Sequence, residues 1–319
     1  MKVPDIPQDE QARLHALRAL NVLDTPQEER FDRLTRLAIR MFGVPIALVS
    51  LVDENRQWFK SCVGLSASET SRDISFCGHA ILGDDVFLIP NATEDIRFAD
   101  NPLVTNDPHI RFYAGCPLIA PNGFKLGTLC IIDTSPRDFG KDDIEALKDL
   151  AAMVEHELAA IHQATMDELT GISNRRGFIM LAKQSLPLCT RLNIPATLIF
   201  LDLDKFKPIN DQFGHAEGDL ALTQFANLLK MTCRDSDVFA RLGGDEFVVL
   251  LTNASKQQAE EIIAKFRLAL AKYNQSTKRG YEILFSCGIV EFSHDTHRNI
   301  EQLLIEGDAM MFEAKRSKR

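Results

Sequence analysis

Arg241–Leu251 reads RLGGDEFVVLL, two glycines and two carboxylates set between apolar runs. Val238–Leu242, VFARL, leads into the glycines, and FVVLL follows the acids. Short β-branched and apolar stretches flanking glycines that can take positive φ predict the two arms of a β-hairpin. Asn-Gly would close such a turn equally well, and Ser or Lys would solvate its tip. Two adjacent acids there either are solvated charges beside a tight turn or have chemical work to do. The rest of the chain has to decide between these.

Leu198–Asp204, LIFLDLD, is an apolar strand ending in acids, and a period of two puts Asp202 and Asp204 on one face. Ends of strands are where α/β domains commonly build sites. If this strand lies beside the hairpin, Asp202 faces Asp245 and Glu246. Clustered carboxylates repel, and burial raises their pKa unless a cation is present. Magnesium relieves that repulsion through oxygen ligands and commonly works beside phosphates. Lys207 follows the strand within reach of a phosphate. Asn210 both donates and accepts, whereas an ionised Asp219 only accepts. Together they suit a guanine edge, the carboxylate for N1–H and N2–H and the amide for O6 or N3. The glycines of Phe213–Asp219, FGHAEGD, let backbone come close to a base or ribose. Lys315 and Arg319, four apart on the last helix, are spaced to clamp a polyphosphate. Each group has a plainer reading: solvated lysines, a turn at Asn210, a helix N-cap at Asp219.

The 319-residue chain is 45% hydrophobic, enough for two domains with buried cores. Its net charge of −9 argues against a broad nucleic-acid or membrane-binding surface, though a phosphate ligand needs only a few local cations. No long apolar run and no signal-peptide core in MKVPDIPQDEQ are seen, so no membrane span is expected. Seven cysteines without a CxxC pair fit reduced thiols and a cytoplasmic location.

Three segments follow. In residues 1–138, EERFDRLTRLAIRMFG has helical spacing, and PIALVSLVD, QWFKSCVG, FLIPNA and LGTLCIID read as strands. That predicts an α+β domain, an antiparallel sheet flanked by helices. In residues 139–166, Ile144, Leu147, Ala151, Val154, Leu158, Ile161 and Thr165 follow 3-4-3-4 spacing. Such an a/d seam predicts a coiled coil joining two copies; the alternative is a helix packed on its own domain. In residues 167–319, helices alternate with the strands ATLIFLDLDKF, the hairpin and YEILFSCGIVEF, which predicts an α/β sheet domain.

Residues 167–319 resemble the GGDEF family of diguanylate cyclases through DELTGISNRRGF, DLDKFKPINDQFGHAEGD, RLGGDEF and GDAMMFEAKRSKR, in that order. The resemblance implies condensation of two GTP into cyclic di-GMP and two pyrophosphates, with Mg²⁺ or Mn²⁺. It implies metal held by Asp202, the Leu203 carbonyl and Asp245. Asp245 is the family's usual candidate for the base acting on the ribose 3′-OH, and Glu246 is the neighbouring alternative. Asn210 and Asp219 would bind guanine, and Lys207, Lys315 and Arg319 would hold phosphates. Phe206 takes the family's aromatic position beside the phosphate loop. One GTP per domain and a symmetric product imply a homodimer, which the heptad helix would hold together. Arg234 and Asp237 match the RxxD inhibitory motif, with Arg241 joining them, so cyclic di-GMP would bind there and slow the enzyme. Pro208, Phe312 and Lys318 depart from the family's usual residues without removing a group assigned to chemistry.

Residues of roughly 20–160 resemble a GAF domain through NVLDTPQEERFDRLTRLA, SLVDENRQWFKS, SFCGHAI and GTLCIIDTSPR. GAF pockets accept cyclic nucleotides, haem, bilins, metabolites or nothing, so the ligand is unknown. Cys77 and His79 lack the adjacent Cys-His pair of bilin-binding GAF domains, and a core or pocket-lining role is expected for both. The expectation is an α+β sensor joined by a helix to an α/β diguanylate cyclase. A non-catalytic GTP or cyclic di-GMP binding module and a dimerising scaffold are the alternatives. Loss of Asp202, Asp245 or Glu246 would favour the binding module, and all three are present.

Overall fold

β-Branched and apolar runs become strands wherever turn residues bound them. In the computed structural model, which describes residues 1–234, 236–293 and 295–317, the chain divides into units Met1–His162 and Gln163–Arg319. The first unit contains strands β1 (Ile46–Val52), β2 (Arg56–Val63), β3 (Glu69–Ser71), β4 (Phe87–Ile89), β5 (Phe112–Ile119) and β6 (Lys125–Asp133). They form one antiparallel sheet in the order β3-β2-β1-β6-β5-β4. Its helices are α1 (Glu10–Ala19), α2 (Glu29–Phe42), α3 (Phe76–Ala80), α4 (Pro102–Thr105) and α5 (Lys141–Thr165). Strand β1 is buried at every position, because both faces are covered. Val49 and Leu51 share one core with Leu17, Phe31 and Leu147, whereas Ile46 and Leu48 share the opposite one with Phe76, Phe98 and Tyr113. A strand covered on both sides needs apolar residues throughout, which explains its unalternating sequence.

Helix α5 carries the heptad seam, and the first unit uses that seam itself. Leu147, Ala151, Val154, Leu158 and Ile161 are at most 6% exposed and lie in the core with Phe31 and Leu129. An apolar stripe specifies that a helix face is covered, not by what, and here the covering is the helix's own domain. These five residues are therefore not open to a second copy. Cys77 and His79 lie in this unit's core, with His79 Nε2 3.0 Å from the Lys2 carbonyl oxygen.

The second unit builds the sheet β11-β8-β10-β9-β7 from β7 (Ser173–Asn174), β8 (Ala196–Asp204), β9 (Val238–Gly243), β10 (Glu246–Thr252) and β11 (Leu284–Glu291). Its pairs are antiparallel except for β7 with β9. Its helices are α6 (Arg175–Leu192), α7 (Phe206–Phe213), α8 (His215–Thr232), α9 (Lys256–Thr277) and α10 (Ile300–Ser317). Ile199, Leu201 and Leu203 of β8 pack with Phe225 and Leu229 of α8 and Phe266 of α9. Leu198 and Phe200 pack on the other side with Phe178 of α6 and Leu303 and Met311 of α10. This three-layer arrangement agrees with the α/β class. No helix among the described residues is long and apolar enough to cross a membrane.

Candidate active site

The two core faces of β8 decide where its acids point. Odd-numbered Leu201 and Leu203 belong to the α8/α9 side, so Asp202 and Asp204 belong to the α6/α10 side. Strand β10 runs antiparallel beside β8 with Glu246 directly opposite Asp202. The Leu203 N–H donates to the Asp245 carbonyl oxygen at 3.1 Å. The pairing expected from the sequence is therefore present, and it brings Asp202, Leu203, Asp245 and Glu246 together by register. A slip of one residue would send Asp202 to the opposite face.

The hairpin tip depends on its glycines. Gly243 has φ 149° and Gly244 φ 53°, conformations that L side chains adopt reluctantly. Arg241 braces the tip, donating from Nε to the Gly244 carbonyl at 2.9 Å and from Nη1 to both Asp167 carboxylate oxygens at 3.2 Å.

Helix α10 supplies a cation to the same face. Gly288 of β11 lets the helix lie directly on the sheet, since a Cβ there would stand 2.2 Å from the Gly307 carbonyl oxygen and 2.5 Å from the Met311 nitrogen. The helix thus delivers Lys315, whose ammonium pairs with Asp202. Ser286 donates to Asp204 at 2.7 Å.

Burial pushes the Asp202 carboxyl up, Lys315 draws it down, and Asp245 and Asp204 push it up again. The Glu246 carboxyl is raised by burial and by Asp308, Asp202 and Asp245, against Arg175. Several carboxylates thus share a small region with Lys315 and Arg175, and their mutual repulsion is what a bound cation relieves. Carboxylate and carbonyl oxygens are the hard donors that Mg²⁺ or Mn²⁺ accepts, so the residues fit such an ion. No group of three or more His, Cys, Asp or Glu side chains gathers as a metal cage among the described residues. A bound ion would therefore rest on two carboxylates, the Leu203 carbonyl and ligands from outside the chain, as is usual for Mg²⁺ beside phosphates.

The expected nucleotide residues follow on. Phe206 opens α7 and packs against the α8/α9 core, and Lys207 beside it is exposed. Half-buried Asn210 lies where α7 meets α8, and Gly218 makes that approach possible. A Cβ on Gly218 would stand 1.9 Å from Asn210 Oδ1. Exposed Asp219 is the next residue of α8. Arg319 lies outside the described residues, as does Lys318.

Arg234 and Asp237 occupy a different place. Asp237 is 8% exposed, and its carboxylate accepts the backbone N–H of Arg234 at 2.9 Å and of Thr252 at 3.2 Å. It ties the end of α8 to β10. Exposed Arg234 borders a cleft of about 100 Å³ with Asn253, Gln258, Glu261 and Lys265. Arg241, expected to join this pair, is engaged with Asp167 and the hairpin tip instead. Sequence reasoning missed that brace, and nothing local signals a partner 74 residues away. It also missed Asp308, although a spacing of seven puts it on the same face of α10 as Lys315.

Residues 164–319 match the family model described as diguanylate cyclase, GGDEF domain, and residues 26–158 match that of the GAF domain. A cyclic di-GMP phosphodiesterase of Pseudomonas aeruginosa is 41% identical over 177 residues, 55% of this chain and 30% of that protein. Diguanylate cyclase DgcP of Escherichia coli is 29% identical over 266 residues, 78% of this chain and 76% of that protein. A solved GGDEF domain of YfiN from Pseudomonas aeruginosa is 32% identical, with 48% of this chain and 89% of that one covered and a TM-score of 0.44. The chain thus spans less than a third of the phosphodiesterase and about three quarters of the cyclase.

Proposed function

We propose that this chain, which belongs to the GGDEF family over residues 164–319 and to the GAF family over residues 26–158, condenses two GTP into cyclic di-GMP and two pyrophosphates. The observation that carries this reading is the register placing Glu246 opposite Asp202, with Asp245 at the turn and Lys315 paired across the same face.

In this reading Asp202, the Leu203 carbonyl and Asp245 hold Mg²⁺ or Mn²⁺, which when bound neutralises triphosphate charge. Asn210 and Asp219 read the guanine from the α7–α8 junction, and Gly218 leaves the Asn210 amide its place. Lys207, Lys315 and Arg319 hold phosphates, and Phe206 anchors the first turn of α7 on the α8/α9 core. The 3′-hydroxyl of one GTP attacks the α-phosphorus of another in line. Its proton passes to Asp245 at the turn or to adjacent Glu246. Each domain holds one GTP, so two copies must face each other, and a homodimer is part of the proposal. The seam residues buried in the first unit leave that pairing to other surfaces. Product binding at Arg234 and Asp237 and control by the GAF domain complete it, with the cytoplasm as its location.

The test incubates purified protein with GTP and Mg²⁺ and quantifies cyclic di-GMP and pyrophosphate, beside Asp245→Ala. Product from the unsubstituted protein alone supports the cyclase. No product from a dimeric protein freed of bound cyclic di-GMP refutes it and leaves a nucleotide-binding module. A dimer that binds neither GTP nor cyclic di-GMP would be a scaffold.

A further inference from the structure

The core of the first unit holds a polar cluster that the cyclase reading does not use. Helix α3 places Cys77 over β6, with its sulfur 3.8 Å from that of Cys130. The buried Tyr113 hydroxyl donates to Cys77 Sγ at 3.4 Å. Ser50 and Thr128 are opposite each other on β1 and β6 and fully buried, and their hydroxyls have no hydrogen-bond partner of normal geometry. Both favour the ionised form of the neighbouring Cys77. A cavity of about 30 Å³, large enough for one water-sized molecule, is lined by Cys77, Tyr113, Gln57 and Thr70 among apolar side chains. Thr70 Oγ1 is buried there without a partner. Two buried cysteines alone would be small apolar core residues. Three hydroxyls around one sulfur, unpaired polar atoms and a cavity beside it form a reactive environment instead.

We propose that Cys77 and Cys130 form a disulfide when the protein meets hydrogen peroxide, with Cys77 as the attacking thiol. Cys77 lines the cavity and receives the Tyr113 hydrogen bond. Burial by itself would raise its thiol, but the Cys130 contact, the Tyr113 hydrogen bond and the nearby Thr128 and Ser50 hydroxyls outweigh burial and lower it. The Cys130 thiol is pushed well up by its bond to Cys77 and by burial. The Cys77 thiolate attacks one peroxide oxygen and the O–O bond breaks. Cys77 becomes a sulfenic acid, and the departing oxygen takes the proton Cys77 gave up and leaves as water. Cys130 sulfur then attacks Cys77 sulfur, and the expelled hydroxide takes the Cys130 proton as a second water. Two thiols are oxidised to one disulfide, and one peroxide is reduced to two waters. The sulfurs need to close by roughly 1.8 Å to reach a bond of about 2.05 Å.

The test treats the full chain with stoichiometric hydrogen peroxide, alkylates the remaining thiols under denaturing conditions and maps peptides without reduction. A Cys77–Cys130 cross-link is expected, reversible by dithiothreitol, with Cys62, Cys116, Cys189, Cys233 and Cys287 recovered alkylated. Cys77→Ser and Cys130→Ser should abolish it. Tyr113→Phe keeps both thiols and should slow cross-linking on the order of tenfold, the worth of one hydrogen bond to a charged sulfur. Should the serine variants fail to fold, the wild-type map and the Tyr113→Phe rate still decide. Recovery of both thiols alkylated while other cysteines oxidise, or an unchanged rate in Tyr113→Phe, overturns the proposal. The readout is thiol chemistry, so it stands or fails independently of the cyclase.

Discussion

Gly218→Ala separates nucleotide reading from folding. The new Cβ would stand 1.9 Å from Asn210 Oδ1, 2.9 Å from its Cγ and 3.4 Å from its Nδ2, so its three nearest neighbours all belong to that one side chain. Normal contact distance requires the amide to move by about 1.5 Å or turn away. The side chain has room to do so, because Asn210 is only half-buried. The backbone gains instead, as Ala is preferred over Gly inside a helix by roughly 0.5–1 kcal/mol. Thermal stability should therefore hold or rise slightly. A displaced amide loses hydrogen bonds to the base, worth about 1.5–3 kcal/mol together, so KM for GTP should rise roughly 10- to 100-fold. Initial rates of cyclic di-GMP formation against GTP concentration, with a melting curve on the same sample, check both halves. An unchanged KM in a stably folded variant would refute the assignment of Asn210 to guanine. A large fall in melting temperature would refute the claim that only a side chain has to move.

Gly288→Ala should behave in the opposite way, because its Cβ would strike the backbone of α10 at Gly307 and Met311. A loss of about 1–3 kcal/mol is expected in denaturant unfolding, together with weaker activity as Lys315 is carried away from Asp202. Lys315→Met should leave the fold intact by circular dichroism and lower kcat/KM by roughly 10- to 100-fold. Glu10 gives the first unit an acid-sensitive contact: burial opposes its ionisation, but hydrogen bonds from Arg13 and Arg72 prevail and lower its pKa from 4.5 to about 2. Its stabilising contribution is complete above about pH 4.5 and disappears as pH falls through about 2. Glu10→Gln should flatten that part of the stability-versus-pH curve and leave the neutral side reduced but level.

The local chain determined a good deal. Apolar runs around Gly243 and Gly244 pointed to a hairpin, because its turn can use the positive φ that glycine allows. A period of two put Asp202 and Asp204 on one face of β8 and Leu201 and Leu203 on the other. Several spaced motifs in order also marked both domains. Periodicity states which face of an element is covered or bears charge, and no more than that. Which neighbour meets that face is decided by packing between segments far apart in the chain. The register that sets Glu246 against Asp202 is of that kind, and so is Gly288, whose missing Cβ lets α10 bring Lys315 down. The seam of α5 was legible as a stripe, yet its partner proved to be Phe31, Leu129 and their neighbours in the same unit. Arg241 stood beside the RxxD motif in sequence but turned to Asp167. Cys77 and Cys130 are 53 residues apart, and only the stacking of α3 on β6 brings their sulfurs together.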